Sequence, residues 1–215
     1  MERREMNRVQ IKICGVTNLS DARACVELGA DMIGLNFYSR SPRCIQPDCA
    51  REIVESIPRR FRAVGIFVDP TAGEIRSVAK TAGIKCVQLH GDLSREMCRD
   101  LAREFRVIRA FSTGDRFHPE DVRAFSDCDA LLDAHHAELR GGTGSTCDWS
   151  VARATLPFAR FLFLSGGLNP QNVGYAIAAV TPHAVDVCSG VESAPGAKDH
   201  RAIEQFIAAA RTAEH

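Results

Sequence analysis

The 215-residue chain is 45% hydrophobic and carries 27 Lys+Arg against 27 Asp+Glu, for a formal net charge of zero. That length supplies one sizeable core but not two ordinary domains with a linker. The charge balance excludes a global field that would draw nucleic acid or an anionic membrane, which leaves a small-molecule partner held by a local anion site. Residues 1–8 are charged and no apolar run follows them, so neither a secretory signal nor a membrane span is expected; nine cysteines without a C-x-x-C pair read as reduced thiols of a cytoplasmic protein.

After an N-terminal extension over 1–8, expected to be flexible, short β-branched runs alternate with amphipathic segments through 9–215. In chain order the pattern predicts strand 9–16 and helix 20–28, strand 31–38 and helix 48–57, strand 63–69 and helix 72–81, strand 86–90 and helix 94–105. It continues with strand 107–112 and helix 119–126, strand 129–134 and helix 149–155, strand 161–165 and helix 170–180, strand 184–188 and helix 199–212. Ser20 before Asp21, Thr71 before Glu74 and Ser94 before Glu96 read as N-caps, while Gly29 and Gly83 read as C-terminal stops.

Eight strand–helix units in one α/β domain of this size point to a closed (β/α)8 TIM barrel, each unit averaging about 26 residues, so loops are short and the site must use residues near strand ends. An open Rossmann-like sheet competes, but Cys14-Gly15-Val16-Thr17 follows the first strand where a G-x-G-x-x-G would be needed.

In such a barrel the chemistry sits where strands pass into helices. Lys12 and Cys14 end the first strand, Arg43 lies in the loop after the second, and Asp69, His90 and Arg109 mark the third, fourth and fifth. Asp133 closes the sixth, Ser165-Gly166-Gly167 the seventh, and Asp186 to Ser189-Gly190 the eighth. The glycine turns after the last two strands suit a phosphate, because small residues let backbone N–H groups approach an anion; their bland role is simply to make tight turns.

Alternation puts Lys12 and Cys14 on one face, where an ammonium would favour a thiolate and make Cys14 a competent base. The competing role is a small buried hydrophobe, the commonest use of a free cysteine. Asp133, after Leu131-Leu132, has the setting of a general acid, or else of a capping carboxylate. The Arg43 fork matches a carboxylate, with Arg40 open to the same role. His135-His136 beside Asp133 and His90 raise a metal reading, but adjacent histidines on extended chain point apart; His90 is read as a hydrogen-bonded wall of the site, and no metal is expected.

Lys12-Ile13-Cys14-Gly15-Val16-Thr17, Gly34-Leu35-Asn36-Phe37 with Ser41-Pro42-Arg43, and Val87-Gln88-Leu89-His90-Gly91 resemble segments of the phosphoribosylanthranilate isomerase family. So do Leu132-Asp133, Gly141-Gly142-Thr143-Gly144 with Asp148-Trp149, Leu164 to Leu168, Val185-Asp186-Val187, Ser189 to Glu192, and Lys198-Asp199, in the family's order. The resemblance implies a cofactor-free Amadori rearrangement in tryptophan biosynthesis, with Asp133 as general acid and Cys14 as general base. It further implies Arg43 on the anthranilate carboxylate, Asp186 on sugar hydroxyls, and phosphate among Gly142, Gly144, Gly167, Ser189 and Gly190.

Two departures stand out: Cys147 where a phenylalanine is usual, and Cys188 where a serine is usual. Against the resemblance stand a histidine-pathway aminoimidazole ribotide isomerase, which would carry aspartate at Cys14, a metal-dependent pentose-phosphate epimerase, and a non-catalytic phosphate-ligand sensor. Retention of both Cys14 and Asp133 disfavours the sensor. A monomer and a homodimer both suit amphipathic helices on a barrel exterior.

Overall fold

A computed structural model describes residues 8–114, 116–133 and 149–213. The extension over 1–7 and the segment 134–148, which holds Gly142, Gly144, Cys147, His135 and His136, lie outside the described residues.

Strands β1 (Gln10–Ile13), β2 (Met32–Asn36), β3 (Arg62–Val68), β4 (Cys86–His90), β5 (Arg106–Ser112), β6 (Asp129–Asp133), β7 (Leu162–Ser165) and β8 (Ala184–Val187) pair in sequence order, and β8 returns to β1, closing a parallel barrel. The helices are α1 (Leu19–Glu27), α2 (Pro47–Ser56), α3 (Ala72–Ala82), α4 (Arg95–Leu101), α5 (Trp149–Thr155), α6 (Val173–Val180) and α7 (His200–Thr212). A short antiparallel pair, β9 (Glu192–Ala194) and β10 (Ala197–Lys198), follows β8. Among the described residues no helix is long and apolar enough to cross a membrane.

Local chemistry sets the boundaries. Thr71 and Glu74 form a reciprocal capping box that starts α3, and Gly83 in the left-handed region ends it. Ser94 caps α4 as expected. At α1 the cap is Asn18, not Ser20: its carboxamide accepts from the Asp21 amide, which moves the helix start one residue toward the N-terminus. The segment expected as helix 119–126 is a 3₁₀ helix, Pro119–Phe125, because Val122 is its one buried side chain and too little apolar surface holds it to the barrel for α turns to form. The first strand ends at Ile13, earlier than expected, since Gly15 adopts φ 73° and leaves the ladder.

Packing divides into two zones. Met32, Val64, Cys86, Ile108, Ala110, Leu131, Phe163 and Ala184 fill the lumen, drawn from every strand but β1. The outward strand residues, such as Ile11, Ile33, Leu132 and Val185, join apolar helix faces, including Ile203, Phe206 and Ile207 of α7, in a buried shell around the barrel.

Candidate active site

In a parallel sheet, residues at one register share a face, as do residues i and i+2 along a strand. The pairings Lys12↔Asp186, Ile66↔Gln88, Ser112↔Asp133 and Asp133↔Ser165 therefore define a single lumen-facing set that runs upward into polar residues. At the C-terminal mouth this set includes Asn36, His90, Ser112, Asp133, Ser165 and Asp186. Cys14, two residues beyond Lys12, and Cys188, two beyond Asp186, continue it.

The floor of the mouth is an ion pair. Lys12 Nζ donates to Asp186 Oδ1 at 2.7 Å, with the two side chains 0% and 5% exposed, and Ser165 Oγ donates to Asp186 Oδ2 at 3.2 Å. Burial works against the Lys12 ammonium, but Asp186 and then Cys14 outweigh it, so Lys12 is held charged, above its ordinary range.

The expectation that Lys12 would leave Cys14 a ready thiolate is corrected. The thiol is pushed well above its usual 9, first by its hydrogen bond with Cys188 and then by burial; Lys12 acts in the opposite direction without prevailing. The Cys188 thiol is lowered below its usual value, first by its hydrogen bond with Cys14 and then by Lys198 and Arg43, against burial and the Glu192 carboxylate to which its Sγ donates at 3.9 Å.

Arg43 reaches the mouth as expected, lying against Gly15, where an added Cβ would come within 2.6 Å of Arg43 Cδ. Its fork is already engaged, with Nε to Glu192 Oε1 at 2.8 Å and Nη2 to Glu192 Oε2 at 2.5 Å. Lys198 Nζ donates to the same carboxylate at 2.8 Å. Burial alone would raise the Glu192 carboxyl, yet the hydrogen bonds from Arg43 and Lys198 pull it below its ordinary value, and the Glu192 bond raises Arg43 further above its own. Glu192 and Lys198 were visible only as parts of a motif. Their role had no local signal, because Glu192 meets Arg43 across a separation of 149 residues and Lys198 reaches the pair through the same carboxylate.

His90 faces the mouth with Gln88 Nε2 2.7 Å from its Nε2, and burial, then Lys12, push its imidazole down to about 4, so it is a neutral wall of the site. Arg109 and Asp69 do not join the set. Arg109 sits on the opposite strand face, where its guanidinium donates to Leu89 and Gly91 carbonyls and lies over the rings of Phe111 and Phe125. Asp69, at φ 47°, accepts from the Asp92 amide and braces the loop after β4.

Two hollows share Asp133 in their linings. One, of about 1020 Å³, is lined in part by His90, Ser112, Phe111 and Arg116; the other, about 230 Å³, by Ser165, Gly167, Asp186, Cys188 and Ser189. Gly166 and Gly167 have φ of 93° and 65°, and an added Cβ at Gly167 would meet nothing within 4 Å, so its backbone is open to the smaller hollow. Gly190 differs: a Cβ there would fall 2.0 Å from the Leu168 carbonyl oxygen, so its glycine lets two βα loops touch. Among the described residues no group of three or more His, Cys, Asp or Glu is placed to hold a metal ion.

The model of a family described as N-(5′-phosphoribosyl)anthranilate (PRA) isomerase matches residues 11–209. The chain belongs to the phosphoribosylanthranilate isomerase family. It is 44% identical over 199 residues to the N-(5′-phosphoribosyl)anthranilate isomerase of Thermotoga maritima, covering 93% of this chain and 97% of that one. To the Trichlorobacter lovleyi protein of the same name it is 40% identical over 205 residues, covering 95% and 99%. The crystal structure of the Thermotoga maritima isomerase superimposes with a TM-score of 0.88 at 44% identity, covering 95% of this chain and 99% of that one. An isomerase of this family in complex with reduced 1-(o-carboxyphenylamino)-1-deoxyribulose 5-phosphate gives 0.86 at 42% identity, again covering 95% and 99%. Family membership and barrel closure thus agree.

Proposed function

We propose that Cys14 and Asp133 are the base and acid of this isomerase, acting on one substrate from strands on different sides of the mouth. The chain is an aldose–ketose isomerase of tryptophan biosynthesis that converts N-(5′-phosphoribosyl)anthranilate to 1-(2-carboxyphenylamino)-1-deoxyribulose 5-phosphate. Asp133 protonates the furanose oxygen, the ring opens to a Schiff base, Cys14 removes the C2′ proton, and the enolamine tautomerises to the ketone. The supporting observation is register: Cys14, Asp133 and Asp186 belong to one lumen-facing set at the barrel mouth, where Asp133 and Asp186 line a hollow together.

Arg43 meets the anthranilate carboxylate through Nη1, the edge that Glu192 does not occupy, and Asp186 and His90 meet the sugar. Gly167, Ser189 and Gly190 serve the phosphate, with Gly142 and Gly144 completing its cradle. An anion clamp at each end leaves acid and base only the task of proton transfer between fixed atoms. Such steps need neither metal nor organic cofactor, so turnover should be unchanged by chelator. The cysteine-rich interior suits a reducing compartment, and we place the activity in the cytoplasm.

The test follows the fluorescence of freshly generated phosphoribosylanthranilate. Cys14→Ala and Asp133→Asn should each lower kcat by about 10²- to 10⁴-fold with the fold intact, whereas Arg43→Ala should mainly raise KM. A Cys14→Ala enzyme that turned over normally would remove the base assignment.

A further inference from the structure

We propose that Cys14 and Cys188 form a redox-modifiable pair at the barrel mouth, closing to a disulfide on reaction with a hydroperoxide and reopening with a thiol reductant. The inference rests on the reading of Cys14 as the base, because closure then removes the base from the reaction.

The geometry follows from the β1–β8 register. Lys12 pairs with Asp186 and Ile13 with Val187, and the Cys14 amide donates to the Val187 carbonyl at 2.8 Å, so the ladder carries Cys14 and Cys188 to facing positions one step further on. Adjacent parallel strands lie about 4.8 Å apart, within the roughly 4.4–6.8 Å between Cα atoms that a disulfide spans. Since Lys12 and Asp186 touch on the lumen face, the residues two further along face one another as well, close enough for each thiol to shift the protonation of the other. Both sulfurs sit close against the backbone around the end of β1: a Cβ on Gly15 would lie 3.0 Å from Cys188 Sγ, and one on Gly34 3.0 Å from Cys14 Sγ.

The surroundings assign different roles to the two sulfurs. Lys198 Nζ is 4.0 Å from Cys188 Sγ and 3.2 Å from its carbonyl oxygen, and Cys188 lines the 230 Å³ hollow, where a small peroxide can reach it. The Cys14 hydrogen bond, and after it Lys198 and Arg43, lower the Cys188 thiol below its usual value against burial and the Glu192 carboxylate 3.9 Å away, while the Cys14 thiol is raised. The Cys188 thiolate attacks the peroxide O–O bond, which breaks; one oxygen stays on sulfur as a sulfenic acid, and the other leaves as water or an alcohol after taking a proton. Cys14 sulfur then attacks the sulfenic sulfur, the S–O bond breaks, and hydroxide leaves as water with the Cys14 proton. Two thiols lose two electrons and the peroxide gains them. A serine at position 188, usual in the resembled pattern, could not take part.

The test treats the full chain with hydrogen peroxide and follows turnover, intact mass and digested peptides, before and after dithiothreitol. The expected result is a loss of two hydrogens, a peptide linking Cys14 to Cys188, a fall in turnover of about 100-fold or more, and recovery on reduction. Cys188→Ser, measured against its own untreated rate, should form no linked peptide and keep that rate at the same dose. The peptide map of the unsubstituted chain decides the matter even if that variant folds poorly.

Free Cys14 and Cys188 in peroxide-treated protein, or a link confined to Cys98 and Cys128, a second close thiol pair among the described residues, would overturn the proposal and leave the base assignment to its own variant. A Cys14–Cys188 link with turnover undiminished would overturn the switch and the base assignment together.

Discussion

Replacing Lys12 by Met tests the ion pair on which the site is built. The substitution keeps the length and apolar body of the side chain but leaves Asp186, 4% exposed, with the Ser165 hydroxyl at 3.2 Å as its remaining side-chain hydrogen-bond partner among the described residues. An unpaired carboxylate in that position costs about 3–5 kcal/mol, because the desolvation of Asp186 is no longer offset by an ammonium at 2.7 Å. For a domain of this size that corresponds to a fall in Tm of roughly 10 °C. Removing the second charge as well, in Lys12→Met with Asp186→Asn, should recover most of the loss, since the uncompensated charge and not the missing contact is what destabilises. Urea unfolding of the parent, both single variants and the double variant at neutral pH closes the cycle. If Lys12→Met costs under about 1 kcal/mol, or the two single losses simply add, the buried pair is not the coupled unit argued here.

Three further outcomes are expected. Gly91→Ala places a Cβ 1.7 Å from Asp69 Oδ1 at φ 102° and should cost more than about 2 kcal/mol in urea unfolding, whereas Gly114→Ala, with nothing within 4 Å, should be near neutral. His90 protonates near 6.5 when unfolded but only near 4 when folded, so the unfolded chain binds the extra proton between those values and stability falls as pH drops, by about 3 kcal/mol in all; His90→Gln should flatten that slope. Because the Cys14 thiol is raised well above its usual 9, kcat should keep climbing with pH beyond neutrality, and a rate already level between pH 7 and 9 would contradict the protonated resting state.

Much of the barrel was legible because its signals are local. Strand and helix patterns alternate with one period and then the other, and caps such as Thr71 and Ser94 act within three residues of themselves. The positions of Cys14, His90, Asp133 and Asp186 at strand ends could be read the same way, since alternation along a strand fixes which residues share a face. The exceptions also have local causes with close competitors: Asn18 outranks Ser20 as a cap, and a single buried valine is too little to hold the segment after β5 as an α-helix.

What the sequence alone determined was the family and most of the residues at the mouth, because order, spacing and alternation are properties of the chain; Arg109 and Asp69, which it also placed there, do not join the lumen-facing set. Only the closed structure decided how those residues act on one another. Joining β8 to β1 brings Asp186 to Lys12 and Cys188 to Cys14 across separations of 174 residues. It also sets Glu192 and Lys198 around Arg43. Charge state depends on burial and on neighbours a few ångströms away. A lysine two residues from a cysteine therefore suggested a thiolate, and the partner that holds the proton on Cys14 came from the far end of the chain.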